Sequence, residues 1–453
     1  MKSPPEEIAP AVPPADSGWR HAVLTPSLPE VFASVPVSQR GFWRKLLAFS
    51  GPGLLVAVGY MDPGNWATDL EGGSRYGYAL LSVVFISNLL AMLLQHLALK
   101  LGIVSGRDLA QACRDHYSRP VSLMLWLLCE VAIGACDLAE VIGSAVALQL
   151  LFGLPLIFGV LLTASDVLLV LFLQNKNVRS IEYLVVSLIV VIGVCFAYEL
   201  VLSRPEPRAV LVGFIPQAQI ARDPRMLYIA LGILGATVMP HNLYLHSSIV
   251  QTRAFERTES GKRMAIRFAT LDSCLALVFA FFINAAILML SAAAFHAQGQ
   301  QEVARINDAY KLLEQTMPQS MAAICFAVAL LASGQNSTLT GTMAGQIVME
   351  GFLELRLRPW VRRLLTRLVA IVPAVLVVGW YGDDGAESLL VLSQVILAMQ
   401  LSFAVVPLVW FTCDRKKMGP FVNSWWLTAL AWLSAGLIIA LNMILLYSGR
   451  PAE

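Results

Sequence analysis

Two short stretches put polar and helix-breaking residues in the middle of apolar runs. One is Asp62-Pro63-Gly64-Asn65 within VAVGYMDPGNWATDL; the other is Met239-Pro240-His241-Asn242 within LGATVMPHNLYLHSS. Proline removes a backbone donor and clashes with the preceding turn. Each run therefore reads as a helix interrupted at its centre. Carbonyls are freed just before each break, at residues such as Gly59 and Ala236. A proline–glycine pair alone could be a harmless kink, but the aspartate argues against that. An ionised side chain at mid-membrane depth costs roughly 2.5–3.5 kcal/mol on insertion scales. Asp62 therefore needs a cation, a proton, or each in turn. Asp62 and Asn65 offer hard oxygens, the freed carbonyls offer more, and Met239 offers a soft thioether. Oxygen alone suits Mg²⁺ or Ca²⁺, whereas a thioether favours later, softer metals. The alternative for Met239 is a core gap-filler; its place directly before Pro-His in a broken helix favours ligation.

A second constellation lies in LWLLCEVAIGACDLAEVIG. At 100° per residue, Glu130, Asp137 and Glu140 fall within roughly 80° of one another, so three carboxylates share one helix face. Such a face does not look at lipid. It is either a structural ion-pair network or a relay of protonatable groups. Arg362 and Arg363 are natural counterions for it, and are equally ordinary residues of an inner connection. His241 follows Met239 by two residues and could be a ligand or a proton acceptor; His246 reads as packing. Asp166 and Asp272 have no assigned role.

The elements carrying these groups follow from composition. Of 453 residues, 57% are hydrophobic and 14% charged, where soluble domains run near a quarter charged. A membrane-crossing helix needs about 20 apolar residues. Eleven runs qualify, near 47–68, 76–99, 120–146, 152–173, 183–202, 226–250, 268–295, 318–343, 365–381, 387–412 and 425–447. They are numbered spans 1 to 11 below. Backbone groups cannot go unpaired in lipid, so the spans are helices. With the N-terminus inside, the inner connections hold 24 of the 32 Lys and Arg. By the positive-inside rule the N-terminus is cytoplasmic and the C-terminus external. Residues 1–40, rich in Pro, Ala and acid with no apolar segment, read as a disordered cytoplasmic tail. Residues 41–453 form the transmembrane domain. The breaks sit in spans 1 and 6, five spans apart, as expected of a five-plus-five inverted repeat with its site at the repeat interface. Span 11 lies outside the repeats. The seven cysteines show no paired or finger spacing and read as small buried hydrophobes. A net charge of +2 without a basic, aromatic-interleaved run gives no sign of nucleic-acid binding.

The two broken runs, DPGN and GATVMPHNLYLHSS, resemble the signatures of the Nramp family of proton-coupled divalent metal transporters, bacterial manganese importers above all. Also similar are Asp137-Leu138-Ala139-Glu140, Phe282-Ile283-Asn284, AGQIVMEGF and Leu392-Ser393-Gln394-Val395, in order from about Gly51 to Ile444. The resemblance implies the LeuT-like fold and import of Mn²⁺, and of Fe²⁺, Cd²⁺ or Co²⁺, with protons across a bacterial inner membrane. It implies metal ligation by Asp62, Asn65, Met239 and the carbonyls of Gly59 and Ala236, with Gln394 joining in some conformations. It favours His241 as a proton acceptor, and a Glu/Asp/Arg network leading from Asp62 to the cytoplasm. Gly59 stands where many members have alanine, which is expected not to disturb a carbonyl ligand. Cys136 stands where threonine is common. Members that carry Mg²⁺ lack the Asp/Met pairing kept here.

Other readings fare worse. No H-E-x-x-H, nucleophile elbow or phosphate loop is present, and no cofactor is implied beyond the transported ion. Gly341-Thr-Met-Ala-Gly345 reads as a small-residue helix contact. Asn336-Ser-Thr338 fits a glycosylation acceptor but lies inside span 8. A metal-cation channel, and a cation-coupled organic-solute transporter of the same fold, are the competing functions. The latter would need small, apolar site residues in place of an Asp/Met pair.

Overall fold

Long apolar runs without backbone partners outside themselves become helices, and the computed structural model is built almost entirely of them. It describes residues 18–20, 25–37, 41–165, 168, 172, 178–300, 306–316, 321–355 and 357–448. Span 1 is split into Pro52–Gly59 and Pro63–Tyr76, and span 6 into Pro224–Thr237 and Pro240–Ile249. Spans 2, 3 and 5 are Leu81–Ser105, Arg119–Phe152 and Val178–Ser203. Spans 7 and 8 are Glu259–Ala294 and Ala322–Leu353, and span 11 is Trp425–Ser448. Span 4 begins at Leu156–Leu162; Asp166, farther along it, lies outside the described residues. Spans 9 and 10 were expected as separate runs. They lie within Pro359–Cys413 as two helices that meet at Gly382, whose φ of 68° and ψ of −160° are not helical.

The broken span 6 is the centre of the bundle. Of its most apolar window, 94% is buried, against 33% for spans 5 and 11. Spans 5, 9 and 11 turn residues such as Val194, Val369 and Leu433 outward, as lipid-facing helices do. The first half of span 1 packs on spans 7 and 8, its second half on span 7 and the first half of span 6. Span 3 lies along spans 8 and 9. The two interrupted helices are thus enclosed by the others.

Most of the stretch assigned to the N-terminal tail (1–17, 21–24 and 38–40) lies outside the described residues. The described part is packed. Leu28 and Val35 are buried, Ser27 donates to Asp108 Oδ2 at 2.6 Å, and Val35–Pro36 pairs in parallel with Arg253–Ala254 just after span 6. The sequence offered no signal for this, because a short extended segment docked on existing helices has neither period nor apolar run. The Gly341 and Gly345 reading holds in span 8. A Cβ at Gly345 would come within 2.6 Å of Arg362 Nε, and one at Gly341 within 3.0 Å of Glu140 Oε1. These small residues let span 8 close on the charged pairs of spans 3 and 9.

Candidate metal centre and the polar network beside it

The helix breaks determine which carbonyls are left over. In an α-helix the carbonyl of residue i is taken by the N–H of residue i+4. For Gly59 and Ala236 those residues are Pro63 and Pro240, which have no N–H. The residue before a proline is pushed out of the helical region. Asp62 accordingly sits at φ −67°, ψ 165° and Met239 at φ −66°, ψ 123°, each at the N-cap of the half-helix that follows. Spans 1 and 6 therefore build the same device, one ended by a carboxylate and the other by a thioether. The carbonyls next to the break in span 1 are satisfied elsewhere. Asn284 of span 7 donates to Tyr60 O at 2.7 Å, Trp66 Nε1 donates to Met61 O at 3.2 Å, and the Ser333 hydroxyl also donates to Met61 O.

The Gly59 and Ala236 carbonyls instead converge with Asp62. One nitrogen, Asn65 Nδ2, lies 2.6 Å from Asp62 Oδ1, 3.1 Å from Ala236 O and 3.3 Å from Gly59 O. An amide nitrogen has two hydrogens and here faces three oxygens. Asp62 Oδ1 also caps the half-helix, accepting from Asn65 N at 2.8 Å, while Asp62 Oδ2 has no partner. This is an oxygen-rich focus short of positive charge. Turning the Asn65 amide over would add a further oxygen to it, the one now 3.3 Å from Asn284 Nδ2. Asp62, Ala236, Met239 and Gln394 are 0% exposed, so the focus is sealed from both sides in this conformation.

Met239 packs with Ala135, Cys136 and Leu397. Its sulfur borders Gly59, where a Cβ would come within 3.2 Å of Sδ and would overlap the Asn242 amide nitrogen. Alanine at position 59 would thus spare the carbonyl but displace the Asn242 amide. Gln394 presses on Gly64 so closely that a Cβ there would overlap its amide, and its Oε1 has no partner. His241 is buried with Nδ1 unpartnered.

The carboxylates of span 3 meet span 9. Arg362 donates to Glu130 at 3.0 and 3.1 Å, and Arg363 to Asp137 at 2.6 Å and to Glu140 at 3.1 Å. Ser337 and Thr338 of span 8 donate to the two Glu140 oxygens at 2.8 and 3.3 Å. A residue outside the expected set, Arg367, lies 3.6 Å from Glu140 Oε2 and donates to Thr338. Its only sequence signal was the four-residue spacing from Arg363. Cys136 Sγ, 3.9 Å from Glu140 Oε1, links this network to the side chains around Met239.

Beside the focus, Tyr60, Gln95 and His246 form a chain. Gln95 Nε2 donates to Tyr60 OH and His246 Nδ1 donates to Gln95 Oε1, both at 2.9 Å. His246 is therefore a hydrogen-bonding member, beyond the packing role first read for it. Asp272 gains a role: its carboxylate accepts from Gly53 N at 2.7 Å and Gly51 N at 3.4 Å, tying the start of span 1 to span 7. Gly51 lies at φ 133° against Glu182, a conformation and a closeness that suit only glycine. Arg253 clamps the same corner, donating to Glu182 at 2.8 Å and to Ser50 O at 2.7 Å.

Comparison with known proteins gives the family and the fold. The sequence model of the Nramp family, described as natural resistance-associated macrophage protein-like, matches residues 53–448. The divalent metal cation transporter MntH of Listeria innocua is 63% identical over 430 residues, covering 95% of this chain and 96% of that one. The crystal structure of the Eremococcus coleocola manganese transporter, in complex with an aromatic bis-isothiourea substituted compound, superposes with a TM-score of 0.86 at 44% identity, over 92% of this chain and 90% of that one. Inward-facing Mhp1, at 12% identity and a TM-score of 0.55 over 93% of this chain and 90% of that one, shares the fold alone.

Proposed function

The chain belongs to the Nramp family, and on that premise we propose that it is a secondary active transporter bringing Mn²⁺, and also Fe²⁺, Cd²⁺ and Co²⁺, through a bacterial inner membrane together with protons. Divalent metal ions are its cargo, and it is a multi-pass membrane protein with the LeuT-like five-plus-five architecture. The observation that carries the finer reading is the double helix break. Two prolines orphan the Gly59 and Ala236 carbonyls, and these meet Asp62 around a single nitrogen. We assign Asp62, Asn65, the two carbonyls, Met239 and, after a small shift, Gln394 as ligands. Hard oxygens hold the ion; the one sulfur tilts selectivity away from Mg²⁺ and Ca²⁺.

The proton leaves by a different way. Asp62 must be ionised to hold a metal, so arrival of the ion releases a proton. His241 and the Glu130–Asp137–Glu140 face, balanced by Arg362, Arg363 and Arg367, supply acceptors toward the cytoplasm. Residues 1–40 are placed on the cytoplasmic side and 41–453 form the transporter, with the C-terminus external. Thiol labelling of intact cells checks this orientation: a cysteine at position 5 is expected to be protected and one at position 452 reactive, and the opposite pattern would overturn it. We infer no enzymatic activity, since Asp62 and the span 3 carboxylates Glu130, Asp137 and Glu140 are assigned to binding or transfer of cations.

Met239 tests the metal assignment. In proteoliposomes with a metal-quenched internal dye, Met239→Ala is expected to keep Mn²⁺ entry within a few-fold and to weaken Cd²⁺ at least about tenfold, near 1.4 kcal/mol. It should also admit Ca²⁺ or Mg²⁺, which the wild type refuses. If the variant refuses them equally, the sulfur is not the filter.

A further inference from the structure

One carboxylate near the route has no part in the arrangement described so far. Asp69 lies in the second half of span 1, 1% exposed. It follows Asn65 by four residues and Asp62 by seven, so it stands about 6 Å and 10 Å farther along the helix axis, roughly 20° from Asp62 on the wheel. Its Oδ2 has no hydrogen-bond partner, and among the described residues it forms no ion pair. Its neighbours are spent on other bonds. The Thr68 hydroxyl donates to the carbonyls of Gly64 and Asn65 at 3.2 and 3.0 Å. Ser291 of span 7 donates to Leu70 O at 2.6 Å, and Arg75 is held by Glu71 at 3.1 Å.

The contrast with the other buried acids is informative. Asp137, Glu140 and Glu182 face arginines, and Asp272 accepts backbone N–H groups. Glu199 also lacks partners, but it sits on span 5, which carries none of the assigned ligands. Apart from Asp62 itself, Asp69 alone among the described residues combines burial, an unpartnered oxygen and a place on the ligand-bearing face of span 1. A buried carboxylate without a fixed counter-charge is costly to keep, and it is suited to a site where the counter-charge is the cargo.

We propose that Asp69 is a second cation-binding carboxyl of the metal route, which takes the divalent ion on the outer side and passes it one to two helical turns down to Asp62. The inference rests on the transport function and orientation proposed above. A hydrated ion reaching Asp69 exchanges part of its water shell for one hard oxygen ligand before meeting the full set. Asp69 thereby sets how readily dilute metal is captured, while the chemistry of selection stays with Asp62, Asn65 and Met239.

The experiment is the concentration dependence of Mn²⁺ uptake into proteoliposomes by wild type, Asp69→Asn and Asp69→Glu, with thermal melting of each purified protein. Asparagine keeps the shape and removes the charge. It should raise the apparent KM about tenfold or more and leave the maximal rate within about threefold, the signature of lost ground-state capture. Glutamate should restore KM to within a few-fold of wild type, and all three should melt alike. An unchanged KM in Asp69→Asn would overturn the proposal. So would an asparagine variant that melts far below wild type, or a glutamate variant no better than asparagine, since either would mark Asp69 as structural. If the wild type itself carries no Mn²⁺, it is the proposed function that fails, not this assignment.

Discussion

Asp62→Asn is expected to abolish Mn²⁺ uptake, by at least about 100-fold or ~2.7 kcal/mol, while the protein still folds and reaches the membrane. The two outcomes have one cause. Asp62 supplies the only negative charge among the assigned ligands, so an amide leaves a divalent ion facing neutral dipoles. The fold loses nothing comparable: an asparagine oxygen can still accept from Asn65 N, as Asp62 Oδ1 does at 2.8 Å, and removing an unpaired charge from a buried position lowers a cost. Uptake is measured in proteoliposomes beside the melting temperature. Uptake near the wild-type rate would place the ion elsewhere.

The second large effect concerns coupling. Glu140→Gln and Asp137→Asn are expected to cut metal-stimulated proton entry about tenfold or more, while apparent Mn²⁺ affinity stays within a few-fold. Both substitutions keep shape and most hydrogen bonds. In Glu140→Gln the remaining oxygen, placed where Oε2 was, still accepts from Thr338 and Arg363, the Ser337 hydroxyl can turn to accept from the new amide, and Arg363 retains Asp137. The choice matters, because removing an arginine would strand buried carboxylates at a cost of about 3–5 kcal/mol and confuse instability with uncoupling. Paired Mn²⁺ and pH-dye signals from one liposome preparation give the ratio of fluxes. If both fluxes fall in strict proportion, span 3 is structural and protons share the metal's pathway.

How much of this was legible depends on the range of each interaction. The breaks at Pro63 and Pro240 are local backbone events, so the freed Gly59 and Ala236 carbonyls could be read directly. The aligned face of Glu130, Asp137 and Glu140 is a property of one helix and was equally open. What sequence did not supply were partners brought together by packing. Arg367 joins Glu140 only because spans 3 and 9 lie side by side. Asn284 reaches Tyr60 O across 224 positions. Asp272 was unexplained until the fold put it against the N–H groups of Gly51 and Gly53. Asp69 carries no signal in the sequence, where it sits among polar residues at the end of a span, and its isolation is visible only in three dimensions.

The central claim, that a proton gradient drives divalent metal inward through this chain, is tested most directly by uphill transport in the wild type. Proteoliposomes with equal Mn²⁺ inside and out are given an acidic exterior at fixed membrane potential, and internal Mn²⁺ and internal pH are followed together. The account predicts that Mn²⁺ rises above its external concentration while the lumen acidifies in step, and that collapsing the pH gradient reverses the accumulation. A lumen in which Mn²⁺ never exceeds the external level, whatever the pH gradient, would contradict it and mark the protein as a passive conduit.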